Sequence, residues 1–174
     1  MSGSNDNTVQ GNFISECDDG IILVGGATSV SRNTIQENTI VNSKSDGIKV
    51  LGGFDDTIGS TDNKIINNNV FRSVGNGISL TGFPLFNRTI VSGNIVNGNE
   101  EVGILVVRGS SHILESNTVT SNSVGIQLGA FITNLPPDGT VVIENVVVGN
   151  TNGNIVDFLS NNTVLAGNII DEDQ

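Results

Sequence analysis

The sequence predicts an all-β solenoid of about seven coils with three short strands in each, and three observations predict it. An Asn holds the same phase of a repeated segment at Asn12, Asn38, Asn68, Asn94, Asn117, Asn145 and Asn168, with spacings of 26, 30, 26, 23, 28 and 23 residues. A Gly-Ile pair follows at Gly20-Ile21, Gly47-Ile48, Gly77-Ile78, Gly103-Ile104 and Gly125-Ile126. The apolar residues are mostly Ile and Val, with seven Phe and neither Trp nor Tyr. β-Branched side chains suit a pleated, half-buried surface, and no stretch sustains the 3.6-residue period of an amphipathic helix.

The first coil runs from Asn7-Thr8-Val9 through Asn12 and Ile14, turns at Cys17-Asp18-Asp19 and enters Gly20-Ile21-Ile22-Leu23. Strand alternation points Val9, Ile14, Ile21 and Leu23 inward. The second coil carries Ile35, Asn38, Ile40 and Asp46-Gly47-Ile48-Lys49-Val50, and its return loop, 52–63, holds Asp55, Asp56 and Asp62. The third has Ile65, Val70 and Gly77-Ile78-Ser79-Leu80, then a loop with Phe83-Pro84-Leu85-Phe86; the fourth begins inward at Val91. The fifth, from Leu114 to Leu128, follows the shortest return and precedes an excursion over 129–139 that carries Phe131. The two Phe-bearing excursions follow the same strand two coils apart, so they are expected on one side, packed together over the core or forming an apolar patch. The sixth coil departs from the pattern, with Asn154-Ile155 in place of Gly-Ile and Asp157 at an apolar position. A seventh half coil, Val164 to Ile170, ends in an acidic tail over 171–174, while residues 1–6 read as a disordered or added start.

Such coils suit a right-handed parallel β-helix with insertions confined to the turn after the Gly-Ile strand. Gly before Ile is expected to supply positive φ at a tight corner. The recurrent Asn residues are expected to hydrogen-bond from coil to coil as a ladder, since buried amides need partners. Five residues further on, Cys17, Ser43, Ser73, Asn99, Asn122 and Asn150 form a second candidate stack, with Cys17 as a small buried filler rather than a reactive thiol.

The repeated Asn-x-Ile/Val and Gly-Ile-x-apolar coil resembles the pectate-lyase-like superfamily of right-handed parallel β-helices over residues 7–170. Within it the likeness is to the generic repeat group of carbohydrate-binding and sugar-hydrolase domains, mannuronan epimerases and accessory proteins of copper sites. The matching residues are those that build coils, so the resemblance speaks to fold more than to function. It implies a groove along one strand face, where an outward row meets an extended sugar chain.

That row would be Ile22, Lys49, Ser79, Leu105 and Gln127, preceded at the corner by Asp19, Asp46, Asn76, Val102 and Val124. Asp19, Asp46, Lys49, Asn76 and Glu101 are therefore the candidate ligand-binding residues, with Asp18 and Glu100 near the same edge. Calcium takes hard oxygen ligands, and Asp19 and Asp46 are its candidate pair; no other cofactor is expected. Lys49 is the candidate catalytic group, as a base or a carboxylate clamp. Asp before Gly is also ordinary turn chemistry. His112, at a strand entrance, is expected to be structural, and one His, one Cys and one Met are too few for a copper site.

A net charge of −11, with only seven Lys and Arg, argues against a nucleic-acid partner. No apolar run is long enough to insert in a membrane, and no signal peptide is evident. The sequence thus favours a non-catalytic module of an extracellular or cell-envelope protein, presenting a glycan- or protein-binding face. The alternatives are a calcium-assisted polysaccharide lyase or epimerase, and a phage tailspike or surface-fibre segment. Without an evident cap at either end, the rod is expected to continue into a longer chain or to form a homo-oligomer.

Overall fold

Apolar residues alternate with polar ones over runs of only three to five residues, broken at regular intervals by residues that accept a left-handed backbone. The computed structural model of the chain, which describes residues 5–26, 28–52, 59–81, 86–130 and 136–171, turns this pattern into three long parallel sheets and a two-stranded parallel pair of Ser60–Thr61 with Phe86–Asn87. Sheet A has six strands, from Ile21–Val24 to Ile155–Asp157. Sheet B has seven, from Thr8–Gln10 to Val164–Ala166, and sheet C has seven, from Phe13–Ser15 to Ile169–Ile170. The chain passes from B to C to A in each coil, giving six full coils and a final half coil. Every strand pairs with its counterpart one coil on, and no helix occurs among the described residues.

The register follows the sequence repeat. Ile21, Ile48, Ile78, Ile104, Ile126 and Ile155 align across sheet A. Inward residues form columns such as Ile35, Ile65, Val91, Leu114 and Val142, all fully buried. Ile21 and Leu23 are buried as expected, whereas Val9 and Ile14, in the first coil, are partly covered. The core is thus a narrow column of Ile, Val and Leu, each layer closed by the next.

Three corners turn each coil, and each places a residue with positive φ directly before a ladder residue. Before the leading Asn these are Gly11, Glu37, Asn67, Gly93, Ser116, Glu144 and Gly167, with φ between 54° and 67°. The leading ladder is complete: from Asn12 to Asn145, each backbone N–H and each Nδ2 donates to Oδ1 of the Asn in the following coil. The second stack also forms. Asn99 and Asn122 donate to the next Asn, and at the first rung Cys17 Sγ lies 3.8 Å from Ser43 Oγ. Cys17 is partly exposed there rather than buried, because no coil stands over it.

The glycine expectation is corrected. Gly20, Gly47, Gly77, Gly103 and Gly125 have no positive φ. They are needed because the backbone of the next coil comes too close for a side chain: a Cβ on Gly47 would lie 2.3 Å from Val70 Cγ1 and 2.7 Å from the Gly77 carbonyl oxygen. Positive φ belongs instead to the ladder corners, where Glu, Arg and Ser share the task with Gly and Asn.

A third stack, at the entrance to sheet B, comprises Asn7, Asn33, Asn63, Thr89, His112, Thr140 and Thr163, at the same spacings as the leading Asn. Asn7 and Asn33 each donate N–H and Nδ2 to the next Asn. His112 takes the amide's place: its Nδ1 accepts the Thr89 N–H at 3.2 Å, so Nε2 carries the proton and donates to the Arg108 carbonyl at 3.2 Å. The ring is fully buried, 5.1 Å from that of Phe86. Burial pushes its pKa down to about 4, with the Arg108 carbonyl opposing.

The unfolded chain therefore binds a proton below about pH 6.5 that the folded chain refuses until about pH 4. Stability held in full above pH 6.5 falls as pH drops through that window, by an amount on the order of 3 kcal/mol for a shift of this size. Urea midpoints at pH 7 and pH 4.5 measure this slope. His112→Asn, which introduces the residue of the first three rungs, should remove most of it. Equal slopes in both proteins would contradict the assignment.

Candidate functional site

The row of sheet A lies in register as expected, through Ile22, Lys49, Ser79, Leu105 and Gln127, and Val156 extends it, but Ser79 is buried rather than outward, with its hydroxyl turned to Asp46. At about 4.8 Å between strands, the six positions span about 24 Å. A second outward row begins with Val24, Leu51 and Thr81. Its members are half-exposed, so the face is a shallow aliphatic strip with a few polar atoms. The return segments follow these strands; residues 53–58, 82–85 and 131–135, with Asp55, Asp56, Phe83 and Phe131, lie outside the described residues. Phe86 is buried against His112 and takes no part in an apolar surface patch.

Asp19, Asp46 and Asn76 stack at the corner before this face. The Asp46 N–H donates to Asp19 Oδ1 at 3.1 Å, and the Asn76 N–H and Nδ2 both donate to Asp46 Oδ1 at 2.9 Å. Asn76 Oδ1 in turn accepts the Val102 N–H at 3.3 Å. This short ladder runs opposite to the Asn ladders, each later coil donating to the earlier one. It ends where Val102 supplies no acceptor.

Asp46 is the centre of the cluster and is 5% exposed. Its Oδ2 accepts from Ser79 Oγ at 2.7 Å and faces Lys49 Nζ at 3.1 Å. Burial raises the pKa of its carboxyl, but the hydrogen bonds from Ser79, Asn76 and Lys49 outweigh it, so the net shift is downward. The carboxylate stays ionised with both oxygens engaged. Lys49, 26% exposed along its side chain, neutralises it. To ligate a cation, Asp46 would have to surrender bonds that hold two coils together.

The structure thus brings Asp19, Asp46, Lys49 and Asn76 together, and adds Ser79. Sequence reasoning placed Ser79 in the outward row but not among the candidate ligand-binding residues; the clue was that it pairs directly with Lys49. Glu101 lies at the same corner one coil further on, with its side chain exposed and its carbonyl accepting from Ser123 and Val124. Asp18, exposed, sits 3.5 Å from Lys44 rather than over the Asp46 carboxylate. Among the described residues, no three His, Cys, Asp or Glu side chains converge as metal ligands.

Structures of similar architecture include a periplasmic alginate epimerase, AlgG, with a TM-score of 0.69 at 18% identity over 98% of this chain and 46% of that one. The A-module of the Azotobacter vinelandii mannuronan C-5 epimerase AlgE6 gives a TM-score of 0.60 at 13% identity, over 98% of this chain and 59% of that module. The chain therefore spans about half the length of these proteins. At such identities the likeness concerns the fold. Comparison with curated protein sequences gives no match. The family described as right handed beta helix region matches residues 1–124 and 33–173, nearly the whole chain. With its parallel coils, complete Asn ladder and this match, the chain belongs to the right-handed β-helix family.

Proposed function

We propose that the chain is a non-catalytic carbohydrate-binding segment of an extracellular or cell-envelope protein, with the glycan lying along the outward face of sheet A. The observation that carries this reading is the closed state of the Asp46 cluster. Asp46 accepts three hydrogen bonds besides its contact with Lys49, and Lys49 is committed to that ion pair. Neither group stands ready to take a proton from a sugar carbon. His112, the chain's single His, is buried in a ladder with both ring nitrogens engaged. What remains on the face is a strip of aliphatic side chains with a few hydrogen-bonding groups, suited to binding. The solved structures of similar fold belong to proteins named for action on alginate and mannuronan, which supports a carbohydrate ligand.

The alternative is a calcium-assisted lyase or epimerase using Asp19, Asp46 and Lys49. One experiment separates the two. The protein is incubated with neutral and uronate polymers, with and without calcium, in deuterated water. Ultraviolet absorbance reports unsaturated sugar, NMR reports exchange at sugar carbons, and affinity gels report retention. Retention without turnover is expected. Turnover that disappears in Lys49→Ala would establish the enzyme.

A further inference from the structure

We infer that the ligand of the sheet A face is an uncharged polysaccharide rather than a polyuronate. The inference rests on the binding reading above and concerns the chemical class of ligand. It comes from where the positive charges are. The chain has seven Lys and Arg. Arg32 and Arg88 are held in bidentate pairs by Asp6 and Asp62 at the corner leading into sheet B. Lys44 lies 3.5 Å from Asp18, Lys64 is on sheet B, and Arg72 donates from Nε to Asn42 Oδ1 at the corner after sheet C. Arg108 lies past the end of the Val102–Val106 strand, on the return towards sheet B. Lys49 is thus the single Lys or Arg on the sheet A strands, and Asp46 already neutralises it.

Residues 53–58, 82–85 and 131–135 contain neither Lys nor Arg, and they include Asp55 and Asp56. A polyuronate carries one carboxylate per sugar, so it would lay a row of negative charges along the strip against at most one cation. To use that cation it would have to displace Asp46, leaving a buried carboxylate without its counter-charge. The net charge of −11 acts in the same direction, although at physiological salt exposed charges are screened beyond about 8 Å. The local mismatch therefore decides. Ile22, Leu105 and Val156 instead offer apolar surface to the faces of sugar rings, while Gln127 adds polar atoms to the same row.

Affinity electrophoresis of the whole chain tests this, using a soluble β-glucan, a glucomannan and a xylan against alginate and polygalacturonate, each at low and physiological salt. At least one neutral polymer should retain the protein at least tenfold more strongly than either polyuronate, with little dependence on salt. Leu105→Glu and Gln127→Glu, neighbours on sheet A, should each weaken that retention at least tenfold. Ile95→Glu, on the outer face of sheet C, should not. Circular dichroism melts check that each variant folds, and Gln127→Glu keeps the test open if Leu105→Glu does not. Retention by a polyuronate equal to or stronger than by every neutral polymer would overturn the uncharged ligand while leaving carbohydrate binding intact. Loss of retention in Ile95→Glu but not in the sheet A variants would overturn the placement. Retention by no polymer would overturn the binding reading itself.

Discussion

Asn94→Ala is expected to lower stability by about 4 kcal/mol, because the orphaned partners are buried and each costs about 1–3 kcal/mol without fully adding. Asn94 is fully buried at the middle of the leading ladder. Its Oδ1 accepts from the Asn68 N–H and Nδ2, and its Nδ2 donates to the Ile65 and Ser92 carbonyls and to Asn117 Oδ1. Truncation strips the Asn68 N–H and the Ile65 carbonyl of these partners at once. No water can replace them without opening the coil. Asn12→Ala is the matched control: Asn12 makes two of the same Nδ2 bonds but is exposed, so water substitutes and the expected loss is under about 1 kcal/mol. Urea midpoints of the two variants against the parent measure the contrast. Equal losses would mean that the ladder contributes by chemistry alone, independent of burial.

Gly77→Ala is expected to destabilise by about 3 kcal/mol or more, the upper part of the range for overpacking a filled interior. The added methyl would lie 2.3 Å from Val96 Cγ1, 2.7 Å from the Gly103 carbonyl oxygen and 2.9 Å from Asn99 Nδ2. The first belongs to the core column, the second to the backbone of the next coil and the third to a buried ladder. Relief requires two coils to separate, which stretches the sheet A hydrogen bonds. Gly98→Asn provides the opposite case. Gly98 has φ +69°, but its Cβ would meet only Arg72 Cγ at 3.7 Å, and the preceding coils hold Asn42 and Arg72 at the same corner. Asn tolerates that conformation, so the change should fall within about 0.5 kcal/mol of the parent. Thermal melts of both variants would separate close approach from backbone freedom as the reason for glycine. A tolerated Gly77→Ala would show that the coils can part more easily than the packing implies.

These two cases show where the sequence was legible. The leading Asn column was readable because one spacing series recurs through the whole chain, and each rung then proved to contact the next. The same series marked the third stack, but it begins with Asn and continues through Thr and His, so a search for repeated residue types passes over it. His112 was therefore recognisable as structural in kind, while its partners, the Thr89 N–H and the Arg108 carbonyl, were not. Gly before Ile was visible as a rule with the wrong cause attached. Positive φ is a local property, whereas the Val70 methyl beside Gly47 belongs to another coil.

At the candidate site, alternation and repeat phase were enough to place Lys49 and Ser79 in one row and Asp19 and Asp46 in one column, but not to show that Ser79 is buried. Whether Asp46 is an open ligand or a closed structural anion depended on Ser79 and Asn76, which lie 33 and 30 residues away and arrive only when the third coil stacks on the second. The sequence by itself determined the coil, its period and the identity of its inward residues, because these follow from side-chain alternation and a repeat that each coil must satisfy. The tertiary structure alone decided which polar groups saturate one another and which backbones touch, because in a solenoid those contacts run between coils, across chain separations that no local pattern records.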